Sequence, residues 1–339
     1  MFFIPSSKKF KNRLKTRLYW ISYKSGRKLS FVQLKALCTK AAQTGDNRDY
    51  DLLLRHFDPK ITDFRHYTFK AFSRSDGLGQ GTLNTFRIFT SSSNDMVFEK
   101  IYLKNSTDWV KSSYFLENHR RQLHESGISI PFIIENKIGD TLVISKYSYI
   151  EITEDPIETH KSIITSCISK LSKLTPKSAA LPNIDDFTLH PGFARRLLKI
   201  KKFSRTHNIP TDAFDLAIRR LESFPKFAAH GDLHIGNTSA PNIVFDWDCF
   251  GYYPPGFDIA FSLASFNTKI SEKDIIEIAM ENHHLYSRRC SLDDFSFSLF
   301  FFYLLYTKTK DTAFKINLVN SFLHSPLWQD SCHLPVSSS

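Results

Sequence analysis

The chain has little of what would mark it as secreted, membrane-spanning or repetitive. Its five cysteines (Cys38, Cys167, Cys249, Cys290, Cys332) are an odd number with no C-x-x-C pair. That argues against a disulfide framework and for reduced thiols in a cytoplasm. Long apolar runs are missing as well. The longest plausible apolar helix has 13 uncharged residues between Asp294 and Lys308, short of the roughly 17 to 25 that a bilayer crossing needs. A signal peptide places charge before a long apolar run, whereas here Met1-Phe2-Phe3-Ile4-Pro5 stands ahead of the lysines, so the expectation is against secretion. There is no internal repeat, and Ser337-Ser338-Ser339 is the only low-complexity piece. Acids are absent from residues 1–30.

What is present is a globular composition. At 339 residues, with 42% hydrophobic and 14% aromatic side chains, the chain has too many large apolar groups for a disordered tail, and its length predicts about two domains. The formal charge of +11 is concentrated at one end: residues 1–30 hold nine cations, and the other 309 residues carry 36 cations against 34 acids. The charge therefore describes a basic arm on a nearly neutral body. Phe10, Leu14, Leu18 and Ile21 recur at spacings of four and three, which predicts a helix over 8–22 with one apolar stripe and a cationic remainder. The stripe can pack on the body, or the helix can lie on an anionic membrane. Nucleic-acid binding is a third reading, marked by a steep fall with salt. Residues 30–57 read as two short helices, closed by the Asp58-Pro59 boundary.

From about 64 to 147 the pattern turns to short alternating segments. Strands are predicted at His66–Arg74, Asn84–Thr90, Met96–Leu103, Phe132–Asn136 and Thr141–Lys146, with one helix over Asp108–Glu125, giving the order β-β-β-α-β-β. From 159 onward the apolar spacing is mostly helical, in segments such as 159–174, 191–204, 211–223, 258–267, 272–288 and 293–308, and 228–250 reads as loop and strand. Three regions follow: a basic helical extension (1–60), a sheet-bearing unit (61–147) and a helical unit (148–335) that carries the loop 228–248.

That loop holds the chemistry. His230-Gly231-Asp232-Leu233-His234-Ile235-Gly236-Asn237 is followed by Ile243-Val244-Phe245-Asp246-Trp247-Asp248. Phosphoryl transfer from ATP needs a carboxylate to orient an acceptor hydroxyl and take its proton, together with hard oxygen ligands for Mg²⁺. Asp232 supplies the first. Asn237, five residues on, can turn an amide oxygen to the metal, and a short strand over 242–245 delivers Asp246 as the charged ligand.

H-G-D-L-H-x-G-N followed by I-x-D-W-[DE] resembles the signature of the aminoglycoside phosphotransferase and choline kinase-like superfamily, and Asp258-Ile259-Ala260 is similar to that family's D-L-A. The resemblance is dense over 228–264. It implies an α+β, bilobal, protein-kinase-like fold: a small N-lobe with a five-stranded antiparallel sheet plus one helix, and a larger helical C-lobe. It also implies ATP and Mg²⁺ as cofactors, with Asp232 as catalytic base and Asn237 and Asp246 as metal ligands. His230 then holds the catalytic loop by hydrogen bonds, while a substrate contact and a structural role stay open for His234.

The N-terminal half offers the matching phosphate-binding parts. Gly77-Leu78-Gly79-Gln80-Gly81-Thr82 lies between the first two predicted strands, where backbone N–H groups around Gly79, Gly81 and Thr82 can approach phosphate oxygens. Lys100 shares a strand face with Phe98 and Tyr102, a costly place for a cation without a partner. Its partners would be the ATP phosphates and a carboxylate of the intervening helix, Glu117 first and Glu125 as the fallback. Tyr147 to Tyr149 is expected, by resemblance, to form the hinge against the adenine. Only eight residues separate Asn237 from Asp246, fewer than the family usually has, so the hairpin between them must be cut short.

Two other readings compete. His230, Asp232 and His234 alternate as zinc ligands on a strand do, but Gly231 and the downstream Asn and Asp argue against a zinc site. A non-catalytic ATP-binding module on a kinase scaffold would have lost the base, the metal ligand or the lysine, and Asp232, Asn237, Asp246 and Lys100 are all present. The expectation is therefore a cytoplasmic phosphotransferase acting on a hydroxyl of a small molecule or glycan. Eight acids against seven bases over 269–339 give no support for a polycationic antibiotic as acceptor. A glycan built at the inner face of a membrane would make sense of the basic arm.

Overall fold

The computed structural model describes residues 18–22, 24, 26–44, 47–60, 85–90, 95–150, 155–174, 184, 186–266 and 269–329. The chain divides into two units, Met1–Val110 with Pro131–Glu151, and Lys111–Ile130 with Ile152–Ser339. The predicted helix over 8–22 falls mostly outside the described residues.

In the first unit, helices α1 (Phe31–Thr44) and α2 (Asn47–Phe57) precede strands β1 (Thr85–Thr90), β2 (Met96–Leu103), β3 (Ile133–Ile138) and β4 (Leu142–Ser148). The strands form one antiparallel sheet in the order β1-β2-β4-β3. Five strands are expected from the sequence and four are described; the remaining one, His66–Arg74, lies outside the described residues. The period-2 alternation of β2 sorts its side chains onto two faces. Ile101 stands opposite Ile144 and Leu103 opposite Leu142. This face packs on Leu34, Leu37, Cys38 and Ala41 of α1 and on Leu53 and Leu54 of α2. The α1 residues recur at the i, i+3, i+4, i+7 spacing of one helix face, and each fully buried leucine contributes roughly 1.5–3 kcal/mol.

Ser30 caps α1 reciprocally with Gln33, accepting from its N–H (3.3 Å) and donating its own N–H to Oε1 (2.8 Å). Asp58, just past α2, accepts the N–H groups of Thr141 (2.8 Å) and Leu142 (2.9 Å) and so closes the β3–β4 turn. Burial alone would raise its carboxyl pKa, but the backbone donors of Thr141, Leu142 and Asp140 outweigh burial and hold it below the usual value. Gly139 is required at this turn, since a Cβ there would lie 2.3 Å from Asp58 Oδ2.

Helix α3 (Thr107–Asn118) passes into the second unit at Lys111 and is followed by α4 (Arg120–Glu125). The sequence predicts one helix over Asp108–Glu125, and the structure corrects this with a break at His119. Its φ of −129° is outside the helical range, and the buried ring is held by Tyr252, with Nε2 2.8 Å from the hydroxyl. The rest of the unit comprises α5 (Ile157–Leu171), α6 (Phe193–Thr206), α7 (Asp212–Glu222), α8 (Phe257–Ser265), α9 (Glu272–Asn282), α10 (Leu292–Tyr306), α11 (Thr312–His324) and α12 (Pro326–Gln329). Two small antiparallel sheets, β5 (Phe227–Ala229) with β8 (Gly251–Tyr253) and β6 (Thr238–Ser239) with β7 (Ile243–Val244), sit among the helices.

The apolar run after Asp294 becomes the core of this unit. Every residue of α10 from Phe295 to Tyr306 is buried, as expected of a helix apolar all round. No described helix is long and apolar enough to cross a membrane. Ser291 caps α10 by accepting the Asp294 N–H at 3.1 Å.

Candidate active site

The candidate site is assembled by the two short sheets. In β5–β8, Ala229 pairs with Gly251, so the segment starting at His230 lies beside the segment ending at Phe250. In β6–β7, Thr238 pairs with Val244, which brings Asn237 beside Phe245. The two motif segments, 230–237 and 245–250, are thereby held together at both ends. Cross-bonds fill the middle: the Phe245 N–H donates to the Asn237 carbonyl (3.1 Å) and His230 Nε2 donates to the Phe245 carbonyl (3.0 Å). The hairpin between Asn237 and Asp246 is short, as the spacing predicts, with two residues in each strand and a positive φ of 55° at Asn242 in its turn.

Asn237 is buried, and its Nδ2 donates to the Asp232 carbonyl (2.8 Å) and Oδ2 (3.2 Å). Both partners are acceptors, which fixes the amide orientation and leaves Oδ1 as the atom that can meet a cation. Asp246 has φ +64°, an αL conformation rare for a non-glycine residue and found where the surroundings impose it. Asp232 is partly exposed, with His234 Nε2 3.7 Å from Oδ2. His234 Nδ1 accepts the Gly236 N–H (2.9 Å), so the neutral ring carries its proton on Nε2, facing Asp232.

Cys249 feels the charge of the acids in both motif segments. Burial pushes its thiol pKa well above the ordinary value, and the nearby carboxylates of Asp232, Asp246 and Asp248 push it further. This cysteine stays a neutral thiol.

Two buried histidines hold the loop. His230 Nδ1 accepts the Asp232 N–H at 3.2 Å while Nε2 donates to Phe245. His190 Nε2 donates to the Gly231 carbonyl (2.6 Å) and its Nδ1 accepts from the Tyr306 hydroxyl (2.7 Å). Each ring is the neutral Nε2–H tautomer. Burial lowers both pKa values to about 4, against the pull of Asp232. With both His230 nitrogens engaged, that ring has no lone pair for zinc, and no group of three metal-ligating His, Cys, Asp or Glu exists among the described residues.

Asp258, in the first turn of α8, accepts the N–H groups of His230 (2.7 Å) and Gly231 (2.9 Å). Burial pushes its carboxyl up to about 7 despite those donors. Gly231 has φ +84°, and a Cβ there would lie 2.1 Å from the Cys249 carbonyl oxygen. Only glycine lets the two segments come this close. Lys111 Nζ donates to the Tyr253 hydroxyl (3.1 Å), which in turn donates to the Cys249 carbonyl (2.6 Å).

Of the other sequence-predicted residues, Lys100 and Tyr147 lie on the sheet, and Glu117 and Glu125 on α3 and α4. Lys100 is buried on β2 with Nζ 5.5 Å from the centre of the Tyr102 ring, on the predicted face. Tyr147, on β4, has its ring 6.2 Å from that of Phe98. Both belong to the first unit. Glu117 belongs to the second unit, exposed on α3, and accepts from Ser113 Oγ at 3.1 Å. Glu125 pairs with Arg121 at 2.8 Å on the surface. Gly79, Gly81 and Thr82 lie outside the described residues.

His190, Lys111, Arg196 and Tyr306 are missed by the sequence reading, because their partners are more than 40 residues away and nothing local marks them. Asp258 is seen only through resemblance. Its position at the start of an apolar helix was the available signal, since a buried aspartate requires donors.

Residues 175–289 match the phosphotransferase enzyme family. The matched third of the chain contains both motif segments from which the resemblance is read. No match was found among curated proteins. Similar solved structures include an amicoumacin kinase in complex with AMP-PNP, Ca²⁺ and Ami (13% identity, 78% of this chain and 91% of that one, TM-score 0.47). An aminoglycoside-3′-phosphotransferase of type VIII is similar at 13% identity, over 73% of this chain and 96% of that one, with TM-score 0.46. A microcompartment-associated aminopropanol kinase is similar at 12% identity, over 77% and 92%, with TM-score 0.39.

Proposed function

We propose that this chain is an ATP- and Mg²⁺-dependent phosphotransferase that phosphorylates a hydroxyl of a small molecule or glycan. The observation that supports the reading is the pairing of segments 230–237 and 245–250, the two stretches that carry Asp232, Asn237 and Asp246. The donor set fits a hard cation. It offers carboxylate oxygens and one amide oxygen, the ligands magnesium takes alongside phosphates and water. When bound, MgATP supplies the γ-phosphoryl group with part of its charge neutralised.

In this reading Asp232 orients the acceptor hydroxyl and takes its proton as the oxygen attacks, while Asn237 Oδ1 and the Asp246 carboxylate hold the metal. Asp258 and His190 fix the backbone that carries Asp232, so little reorganisation is left for the moment of reaction. Lys100 meets the α- and β-phosphates, Glu117 positions Lys100, backbone N–H groups around Gly79–Thr82 cover the phosphates, and Tyr147 borders the adenine. The basic residues 1–30 would bring the enzyme to an anionic cytoplasmic membrane face. Vesicle binding that persists after truncation of 1–30 would remove that part.

The test is ADP formation over a panel of sugars, amino alcohols and aminoglycosides, with Asp246→Ala as the blank. Acceptor-dependent ADP formation by the native chain alone is expected. Equal rates in the two proteins, or rates indifferent to any acceptor, would overturn the assignment.

A further inference from the structure

Helix α6 carries Arg195, Arg196, Lys199, Lys201, Lys202 and Arg205 and no acid. Lys201 is neutralised by Asp215 of α7 (2.5 Å). Among the described residues no carboxylate lies within ion-pair distance of Arg195, Arg196 or Lys199, or of Lys315 on α11. Arg196 and Lys199 are three residues apart on one helix face, where like charges oppose each other. Lys315 joins them: its Nζ stands 4.8 Å from the centre of the Phe203 ring, one turn along α6 from Lys199. Burial lowers the Lys315 pKa, and the charge of Lys199 lowers it further.

A relay of contacts connects this strip to the loop that carries Asp232. Arg196 donates to the Tyr306 carbonyl (3.2 Å) and lies over the Tyr306 ring at 4.7 Å. The Tyr306 ring is 4.9 Å from that of Phe261, and Phe261 is 6.4 Å from His234, whose Nε2 faces Asp232. A row of rings thus runs from Asp232 to Arg196. The charge of Asp232 reaches Arg196 and favours its ionised form, against the larger opposing effect of burial.

We infer that the acceptor alcohol bears an oxyanion, a phosphate or a carboxylate, which sits against Arg196, Lys199 and Lys315 while its hydroxyl reaches Asp232 across the His234–Phe261–Tyr306 row. Guanidinium and ammonium groups without counter-ions hold such an anion by charge-assisted hydrogen bonds. An acceptor with amino groups at the same position is repelled. The inference rests on the kinase reading for the role of Asp232 and adds the chemical class of the acceptor.

The test is calorimetric titration of the full chain, with Mg²⁺ and a non-hydrolysable ATP analogue, by four matched probes: glucose, glucosamine, glucose 6-phosphate and glucuronate. The two anionic probes separate phosphate from carboxylate as the recognised group. At least one of them should bind about tenfold or more tighter than glucose, with glucosamine weakest and inorganic phosphate competing. Lys199→Glu combined with Lys315→Glu should abolish the preference and leave the affinity for the nucleotide analogue unchanged. If that pair does not fold, Lys199→Gln alone should weaken the anionic probe about fivefold. The inference fails if glucosamine binds best, if neither anion exceeds glucose, or if the charge variants bind as the native chain does. It fails equally if the strip takes a homopolymeric RNA that the sugar anions do not displace. ADP formation measured in parallel keeps the two readings apart. Anion binding with no turnover of any alcohol sinks the kinase reading and the acceptor role with it, leaving only the anion site, whereas turnover of neutral or amino alcohols with no anion preference sinks this inference alone.

Discussion

The paired loop 230–250 and the helix α6 treat polar groups in opposite ways. In the loop, both nitrogens of His230 and His190 have partners, the Asp258 carboxylate accepts two backbone N–H groups, and Asn237 is fixed by Asp232. On α6 the cations facing Tyr306 and Lys315 have no counter-charge among the described residues, and only Lys201, on another face, is paired. The groups that support the loop are satisfied within the fold, whereas the cations of the strip are not paired with acids among the described residues. Chemistry that must be placed accurately is built from satisfied groups, and recognition of a charged partner is built from groups left for it to satisfy.

The largest expected effect breaks the loop side of this contrast. Asp232→Asn keeps the hydrogen bond from Asn237 and loses the base, so turnover should fall by about 10²–10⁴-fold while affinity for a nucleotide analogue stays native. Next comes Gly231→Ala, which drives a Cβ to 2.1 Å from the Cys249 carbonyl oxygen at φ +84°. A loss of at least about 2–3 kcal/mol is expected in urea unfolding. Asp258→Asn leaves one of two buried N–H groups without its acceptor and should cost about 1–3 kcal/mol.

The pH dependence sharpens the same point. His190 and His230 titrate at about 4 folded against 6.5 unfolded, so their contribution is present above 6.5 and lost as pH falls toward 4. Asp258 titrates at about 7 against 3.8, so its protonated form contributes fully below 3.8 and that contribution is lost as pH rises through 7. Between about pH 4.5 and 6 the unfolded chain holds two histidine protons that the folded one lacks, and the folded chain holds one aspartate proton that the unfolded one lacks. These three groups together make stability rise with pH, by up to about 1.4 kcal/mol per unit. Asp258→Asn should roughly double that slope, which urea titrations across the window would read. The smallest effect is on α6: Lys201→Ala, which removes a cation already neutralised, should leave binding of the anionic sugars within about twofold.

Much of the architecture was legible locally. β2 spans Met96–Leu103, the bounds predicted from alternation, and α5 through α8 fall close to their predicted segments, because one apolar face at a helical period is a local property. The break at His119 was not legible, since the buried ring there is held by a hydroxyl on Tyr252, 133 residues away. Helix α11 was likewise not anticipated. Within the candidate site, Asp232, Asn237 and Asp246 were visible as residue types at a spacing, whereas their support by His190, Lys111 and Asp258 was not. The cationic strip shows the same divide: six cations on α6 are countable in the sequence, but which of them face Asp215 and which face Tyr306 is not.

The sequence by itself determined the elements, the apolar faces and the chemical types available in the loop, because these follow from side-chain identity and short-range periodicity. Only the tertiary structure decided which charges are neutralised, which aspartate is buried deep enough to titrate near 7, and which glycine admits a second backbone. Those depend on desolvation and on contacts between residues far apart in the chain, and no spacing along the chain encodes them.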